Sequence, residues 1–359
     1  MAFSTFPPHS EILDIGGSAM HESIKQRLHD SLYNEPADGK PHVLPDELLY
    51  DDAGLAIWAD IIFTKEFYQT ADEIVLFEMN SNEIAQHIPI NSIMTDLGAG
   101  DLRKVERLLA VLERRGDKTD YLALDISKTS LETNLAELAP KHENVTCGGL
   151  WGDFGAGNNW VAGLDPSRPR VLLSLGSVLF NNETSKAIAD LKHWVMLLRP
   201  QDLILAGMDG HSIKANKDKV WAAYHAHPDL FNQFWSNGFE HANRLLGGDI
   251  LNLDDWEVNA DLDEQEHRHR WFFTAKRDIC LSGPGFATEK TLPKGTVVEW
   301  FDAHKQNADD VRAMCAEVGL EAFKIWKAPG SEMTQYLLRP VKGRESSPND
   351  TDSAITDMQ

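Results

Sequence analysis

The chain has 359 residues and carries 34 Lys and Arg against 56 Asp and Glu, a formal charge of −22 at neutral pH. That surplus of negative charge repels phosphate backbones and anionic lipid surfaces, which excludes nucleic acid and membrane as partners and leaves a small molecule as the expected one. No stretch reaches the ~20 apolar residues of a membrane span, Met1 to Gly17 lacks a basic region followed by an apolar core, and Cys147, Cys280 and Cys315 lie too far apart for a disulfide framework or a zinc knot; a cytoplasmic monomer or homodimer is expected.

Ile12 to Ile15 reads as a short strand and Glu22 to Leu32 as a helix before the loop Asn34 to Pro41. Leu48, Leu49, Leu55, Trp58, Ile61 and Ile62 recur as on an amphipathic helix over Leu48 to Phe63. Thr70 is expected to cap a helix over Asp72 to His87, with Glu73 in its first turn favouring the helix dipole. Strand and helix then alternate: Ser92 to Leu97, a helix through Leu102, Val105, Leu108, Leu109 and Leu112, Tyr121 to Asp125, Lys128 to Leu138, and Asn144 to Leu150. The turn Trp151 to Phe154, the apolar run Arg170 to Gly176, a helix through Leu198 and the strand Leu203 to Asp209 complete the series. This alternation predicts an α/β fold with a parallel sheet covered on both faces. At Gly210 the character changes. Val220 to Leu246 is helical and aromatic-rich, and Trp256 to Phe301 reads as short strands divided by the turns Ser282-Gly-Pro-Gly and Pro293-Lys-Gly, an inserted lobe. The helix Ala308 to Val318 and the strands Ala322 to Trp326 and Met333 to Leu338 are expected to add an antiparallel pair to the main sheet, and Gly343 to Gln359, polar and without periodicity, is expected to be disordered.

The stretch Met94 to Lys104 carries the chemistry. Gly98 and Gly100 follow a strand and let the backbone turn tightly and approach a ligand. Asp125 ends the next strand, where doubly wound sheets place an acid against the ribose hydroxyls of an adenosine. A dinucleotide fingerprint needs a third glycine where Arg103 stands. Asp96, just before the glycines, would repel a pyrophosphate and attract the sulfonium and ammonium of S-adenosylmethionine. The pattern favours a methyltransferase, with an NAD enzyme and a ligand-free glycine turn as alternatives. His267 and His269 share one strand face but lack a third ligand, so no metal is expected.

Asp96-Leu-Gly-Ala-Gly-Asp-Leu-Arg-Lys-Val105, Tyr121-Leu-Ala-Leu-Asp-Ile126, Leu173-Ser-Leu-Gly-Ser177, His241-Ala-Asn-Arg-Leu-Leu-Gly247 and Asp254-Asp-Trp-Glu257 resemble the S-adenosylmethionine-dependent amino-acid Nα-methyltransferases. That family includes the histidine-specific methyltransferase of ergothioneine synthesis, and the resemblance is nearest to the fungal branch that methylates 4-dimethylallyltryptophan in ergot-alkaloid pathways. It covers about residues 45 to 340 and implies a Rossmann-like class I methyltransferase core with a second α+β substrate-binding lobe. The implied division is 1–68 as an N-terminal segment packing with the lobe, 69–210 as the core, 211–301 as the lobe, 302–342 as a return to the core sheet and 343–359 as the tail.

Carried over residue by residue, the resemblance implies that Gly98, Lys104, Asp125, Asp153 and Phe154 line the methyl-donor site. It further implies that Tyr68 lies beside the reacting amine and orients it without acting as a strong base, and that Asn181 and Tyr224 hold the substrate carboxylate. Phe180 stands where the family has a glycine. In the histidine enzyme a glutamate, with a serine two residues on, grips the imidazole; aligning on Lys305 puts Phe301 and Ala303 there, unless the register slips to Glu299 or Asp302. A pocket without polar groups disfavours histidine and favours an apolar side chain. The expectation is N-methylation of an aromatic or apolar amino acid or related amine in alkaloid-type secondary metabolism. The alternatives are O- or C-methylation of a small metabolite, or histidine Nα-methylation if the pocket register differs.

Overall fold

The computed structural model describes residues 4–36, 39–116, 118–283, 286 and 288–341. In chain order its elements are β1 (Ile12–Asp14), α1 (Met20–Tyr33), β2 (His42–Val43), α2 (Asp52–Ile62), α3 (Tyr68–His87), β3 (Ile93–Leu97), α4 (Glu106–Arg115), β4 (Thr119–Asp125), α5 (Lys128–Leu138), β5 (Val145–Trp151), α6 (Phe154–Ala162), β6 (Arg170–Ser174), α7 (Thr184–Val195) and β7 (Leu203–Asp209). They continue as α8 (Lys217–His225), α9 (Pro228–Leu246), β8 (Trp256–Asp263), β9 (Arg268–Ala275), β10 (Ile279–Leu281), β11 (Lys290–Leu292), β12 (Val297–His304), α10 (Ala308–Glu317), β13 (Leu320–Lys327) and β14 (Met333–Pro340).

Among the described residues the main sheet has the order β1-β5-β4-β3-β6-β7-β14-β13. β3 pairs in parallel with both β4 and β6, so the chain winds outwards from β3 in two directions. The carboxyl ends of strands at such a reversal form a crevice in which open α/β sheets bind ligands. Every residue of β3, β6 and β7 is buried, as two-sided coverage of apolar runs requires. β14 closes antiparallel on β7, and β13 on β14. This is the covered α/β sheet that the alternation predicted and the Rossmann-like core that the resemblance implied.

A smaller sheet, β2-β12-β9-β8, carries the lobe. β9 alternates half-buried and buried residues, so His269, Trp271, Phe273 and Ala275 face inwards. There they meet the aromatic stripe of α9: Trp235 lies 5.5 Å from Trp271 and 5.6 Å from Phe273, centroid to centroid. α1 and α2 pack on α9 as well, whereas β1 pairs with β5 at the edge of the main sheet. The N-terminal segment is therefore shared between the two layers, not given wholly to the lobe. β12 also runs through residue 301 to His304, so the division placed at 301/302 falls inside a strand.

Several local expectations are corrected. α3 starts at Tyr68 without a side-chain cap, and Thr70 is buried within it, because its first turn is turned into the site. α2 begins at Asp52, and the Asp51 carboxylate caps it through Gly54 N–H. The helical stretch 220–246 is two helices, since Pro228 lacks an N–H and starts α9 anew. The proposed tail lies outside the described residues, as does part of the turn after Ser282. No described helix is long and apolar enough to cross a membrane.

Candidate active site

The donor side is built where β3 and β4 end. Gly98 and Gly100 have φ of 65° and 50°, a region that favours glycine. That turn aims the Gly100 N–H at Asp125 Oδ2, 2.9 Å away, while Ser127 N–H donates to Oδ1 at 3.1 Å. Asp125 is buried, and burial raises its carboxyl pKa. The Phe154 ring lies over Gly98, where an added Cβ would sit 3.4 Å from Phe154 Cζ, and is 47% exposed. Asp153 caps α6 by accepting from Ala156 N–H at 2.8 Å. Glycine turn, acid and aromatic ring thus converge on one crevice.

Asp96 is buried beneath them. Its Oδ2 accepts from Tyr121 Oη at 2.8 Å, its Oδ1 has no partner among the described residues, and burial pushes its pKa up to about 7. A buried carboxylate oxygen without a donor is costly and suits a ligand that brings positive charge or N–H groups. Lys104 Nζ does not stand free: it donates to Glu73 Oε2 at 2.9 Å, and the same oxygen accepts from Gly176 N–H at 2.9 Å. Sequence reasoning placed Glu73 at the helix dipole; the structure buries it completely as the partner of Lys104.

The acceptor side gathers around Asp209, at the carboxyl end of β7. Its Oδ2 accepts from Tyr68 Oη at 2.6 Å and lies 3.2 Å from Lys305 Nζ. Its Oδ1 accepts from His211 N–H at 3.0 Å and bonds His211 Nδ1 at 2.6 Å. Lys219 Nζ lies 2.9 Å from His211 Nε2, so Nε2 must accept and Nδ1 carries the hydrogen that Asp209 receives. Burial opposes the charge on Asp209, but Lys305, His211 and the Tyr68 hydroxyl outweigh it and hold the carboxyl well below the usual range. Burial, with Asp209 next in weight, raises the Tyr68 pKa well above that of a free phenol. Burial alone would lower Lys305, but Tyr224 and Asp209 raise it. Lys305 also donates to Tyr224 Oη at 3.0 Å, and Gln69 Nε2 does so at 2.9 Å.

Beside this polar knot lies an aromatic box. Phe301 sits 6.0 Å from Tyr224 and 5.8 Å from Trp58; Trp58 in turn contacts Phe67 and Phe234 at 5.5 Å each. A bulge between Glu299 and Phe301 buries Trp300 and Phe301 in succession. It leaves Glu299 and Asp302 on the other face, 2.7 Å from Arg270 and Arg268. Asn181 behaves differently from the expectation: its amide donates to Asp302 O at 3.2 Å and accepts from His304 N–H at 2.7 Å, fastening the loop after β6 to β12. Phe180 turns into the core on the α7 side of the sheet, fully buried. His269 meets His225, Nε2 to Nε2 at 2.9 Å, behind Tyr224. Tyr68, Tyr224 and Phe301 are thus brought together with Asp209, Lys305, Gln69 and Trp58, none of which was singled out from sequence as a site residue.

Residues 24–340 match the family model of the histidine-specific, S-adenosylmethionine-dependent methyltransferases. The chain belongs to that family. It is 31% identical over 333 residues to ergothioneine biosynthesis protein 1 of Neurospora crassa, an alignment covering 92% of this chain but 36% of that protein, so the chain spans about a third of that relative's length. It is 29% identical over 321 residues to the N-methyltransferase dtpB of Aspergillus flavus, covering 85% of this chain and 88% of the relative. It is 26% identical over 354 residues to the 4-dimethylallyltryptophan N-methyltransferase easF of Claviceps purpurea, covering 92% and 99%. The chain is accordingly placed among S-adenosylmethionine-dependent methyltransferases, with relatives named as N-methyltransferases.

Proposed function

We propose that this methyltransferase alkylates the amino nitrogen of an aromatic or apolar amino acid or related amine. The observation that carries the reading is the aromatic box of Trp58, Phe67, Phe234 and Phe301, from which Glu299 and Asp302 are turned away towards arginines. An imidazole placed there would lose its hydrogen bonds to water and gain none from this strand, whereas an indole or alkyl side chain loses little.

S-Adenosylmethionine supplies the electrophilic methyl and, once it is gone, the leaving thioether. Gly98, Asp125, Asp153 and Phe154 would hold the adenosine end, and Lys104, steadied by Glu73, the methionine carboxylate. Asp96 favours the cationic form of the ligand, because its unpaired buried oxygen is stabilised by positive charge. On the acceptor side the ammonium first releases a proton to solvent, and the freed nitrogen lone pair then forms the new N–C bond as the C–S bond breaks, leaving the product as the methylammonium. An α-amino group has a pKa near ~8, and a neighbouring positive charge lowers it, so a strong base is not required. Tyr68, kept a phenol by burial, orients the nitrogen and does not deprotonate it. Tyr224 faces the substrate carboxylate, and Asn181, which ties the loop after β6 to β12, holds that wall in place. The relative easF, named a 4-dimethylallyltryptophan N-methyltransferase, supports an aromatic amino acid as acceptor, and alkaloid-type secondary metabolism is the setting this reading takes.

The test is product analysis. With labelled donor and a panel of amino acids, the reading expects N-methyl tryptophan-like or aliphatic products, histidine a poor substrate, and at least a 100-fold loss of kcat in Tyr68→Phe with S-adenosylhomocysteine still bound. Methyl on oxygen or carbon, or histidine as the preferred substrate, refutes it.

A further inference from the structure

Resting on the donor placement above, we infer that α2 is a strap across the ribose end of the donor crevice, and that two clasps fastening it to the core gate the passage of S-adenosylmethionine and its demethylated product. Arg103 stands where a dinucleotide fingerprint would carry its third glycine. Its guanidinium is held by Asp101 through contacts of 2.5 to 2.8 Å and lies over the Phe63 ring, 3.6 Å from the centroid, just past the end of α2. A glycine there would leave nothing to reach the helix. At the other end of α2, Asp52 accepts from Ser127 Oγ at 2.6 Å and Thr129 Oγ1 at 2.7 Å.

The two clasps flank one group. Asp125, the ribose acid, accepts from Gly100 N–H and from Ser127 N–H; Asp101 and Arg103 follow the first donor, and Ser127 with Thr129 forms the second clasp. The eleven residues of α2 span roughly 16 Å, against the ~5 Å between neighbouring strands, so the helix runs past the ends of both β3 and β4. The rest of α2 belongs to the lobe: the Asp51 carboxylate accepts from Asn237 Nδ2 at 2.7 Å and from Arg244, and Trp58 stacks on Phe234. Ile126, next to the ribose acid, packs against the same apolar cluster as Ile57, Trp58 and Ile62. An adenosine seated on Asp125 is thus roofed by a helix of the lobe and leaves only when the clasps part. Protein groups alone make both clasps, so they slow entry as much as exit.

The experiment follows tritiated S-adenosylhomocysteine onto and off the full chain. Phe63→Ala and Arg103→Ala each remove an exposed cation–aromatic contact, and each should speed uptake and release alike by about two- to fivefold, leaving Kd within about threefold. Combining them should add nothing to either alone. Phe63→Leu, which keeps an apolar side chain but no ring face, should behave as Phe63→Ala does. Both side chains reach solvent, 37% exposed for Phe63 and 55% for Arg103, so Tm should not change. Sealing the clasp should do the reverse. Cys280 is the exposed free cysteine among the described residues, so Phe63→Cys and Arg103→Cys are placed in a Cys280→Ser background and joined by a short reducible bis-maleimide. Preloaded product should then be retained roughly 100-fold longer, and protein sealed empty should take it up as much more slowly, with reductant restoring both rates. A sealed protein that exchanges product at the wild-type rate overturns the inference. So does faster release without faster uptake in Phe63→Ala, which marks a contact that only stabilises the bound state, and so does full additivity of Phe63→Ala with Arg103→Ala. Wild-type affinity in Asp125→Ala refutes instead the donor placement on which the strap rests.

Discussion

Gly207 lies on β7 directly under Glu73, and replacing it with alanine tests whether the donor-side ion pair depends on that missing side chain. A Cβ at this position would fall 1.9 Å from Glu73 Oε1 and 3.1 Å from its Cδ, with Met333 Cε at 3.3 Å on the other side. Glu73 has no exposed surface into which to retreat. The carboxylate must therefore move by more than an ångström, which breaks its bonds to Lys104 Nζ and Gly176 N–H, both 2.9 Å. Breaking one partner from a buried pair costs about 3–5 kcal/mol. At roughly 2 °C per kcal/mol for a chain of this size, Tm should fall by about 6–10 °C. Because Lys104 then loses its fixed position, affinity for S-adenosylhomocysteine should drop at least tenfold. Differential scanning calorimetry and titration calorimetry measure the two. Gly248→Ala is the control: its Cβ would meet only Ile250, at 3.7 Å, and should change neither. A Gly207→Ala protein with unaltered Tm and donor affinity would refute the coupling of Glu73 to Lys104.

Phe301→Glu combined with Ala303→Ser should return polar groups to the box, lowering kcat/KM for tryptophan by on the order of 100-fold and raising histidine relative to it; an unchanged ratio of the two substrates would show that the box does not set selectivity. Asp52 accepts from Ser127 Oγ at 2.6 Å and Thr129 Oγ1 at 2.7 Å, tying α2 with its Trp58 to the start of α5, so Asp52→Ala should raise KM for donor and acceptor about three- to tenfold with little change in Tm; a Tm loss without a KM change would make the contact merely structural. Burial holds His225 down at about 4 and His269 well below its ordinary value. Unfolded histidines near ~6.5 take up protons first, so stability should decline as pH falls from about 6.5 towards 4, and His225→Asn should flatten the urea midpoint over that window; an equally steep dependence in the variant would assign the decline to other groups.

How much of this was readable in the sequence follows from which contacts are local. The core strands are apolar runs bounded by turns, and Asp96 and Asp125 announce themselves as acids closing two such runs. Asp209 closes β7 in the same manner and could have been singled out by that rule alone. Its importance was hidden because, besides the neighbouring His211, the groups that converge on it are Tyr68 on α3 and Lys305 just after β12, Tyr68 being 141 positions away in sequence. Glu73 was misplaced for the same reason: nothing local says that the second turn of α3 rests on Gly176 and Gly207. The lobe presents the sharper case. Strict alternation along β12 would put Glu299, Phe301 and Ala303 on one face, and a carboxylate would then share the face of the aromatic box. The bulge after Glu299 removes it: Glu299 and Asp302 go to Arg270 and Arg268, while Phe301 and Ala303 stay inside. Alignment on Lys305 fixed which residues occupy the strand but not the face each one takes, because a single inserted residue reverses every side chain beyond it. The apolar character of the pocket is thus set by one irregularity of backbone pairing, and a substitution that restores regular pairing there, without changing Phe301 itself, should be enough to bring Glu299 back towards the substrate and histidine with it.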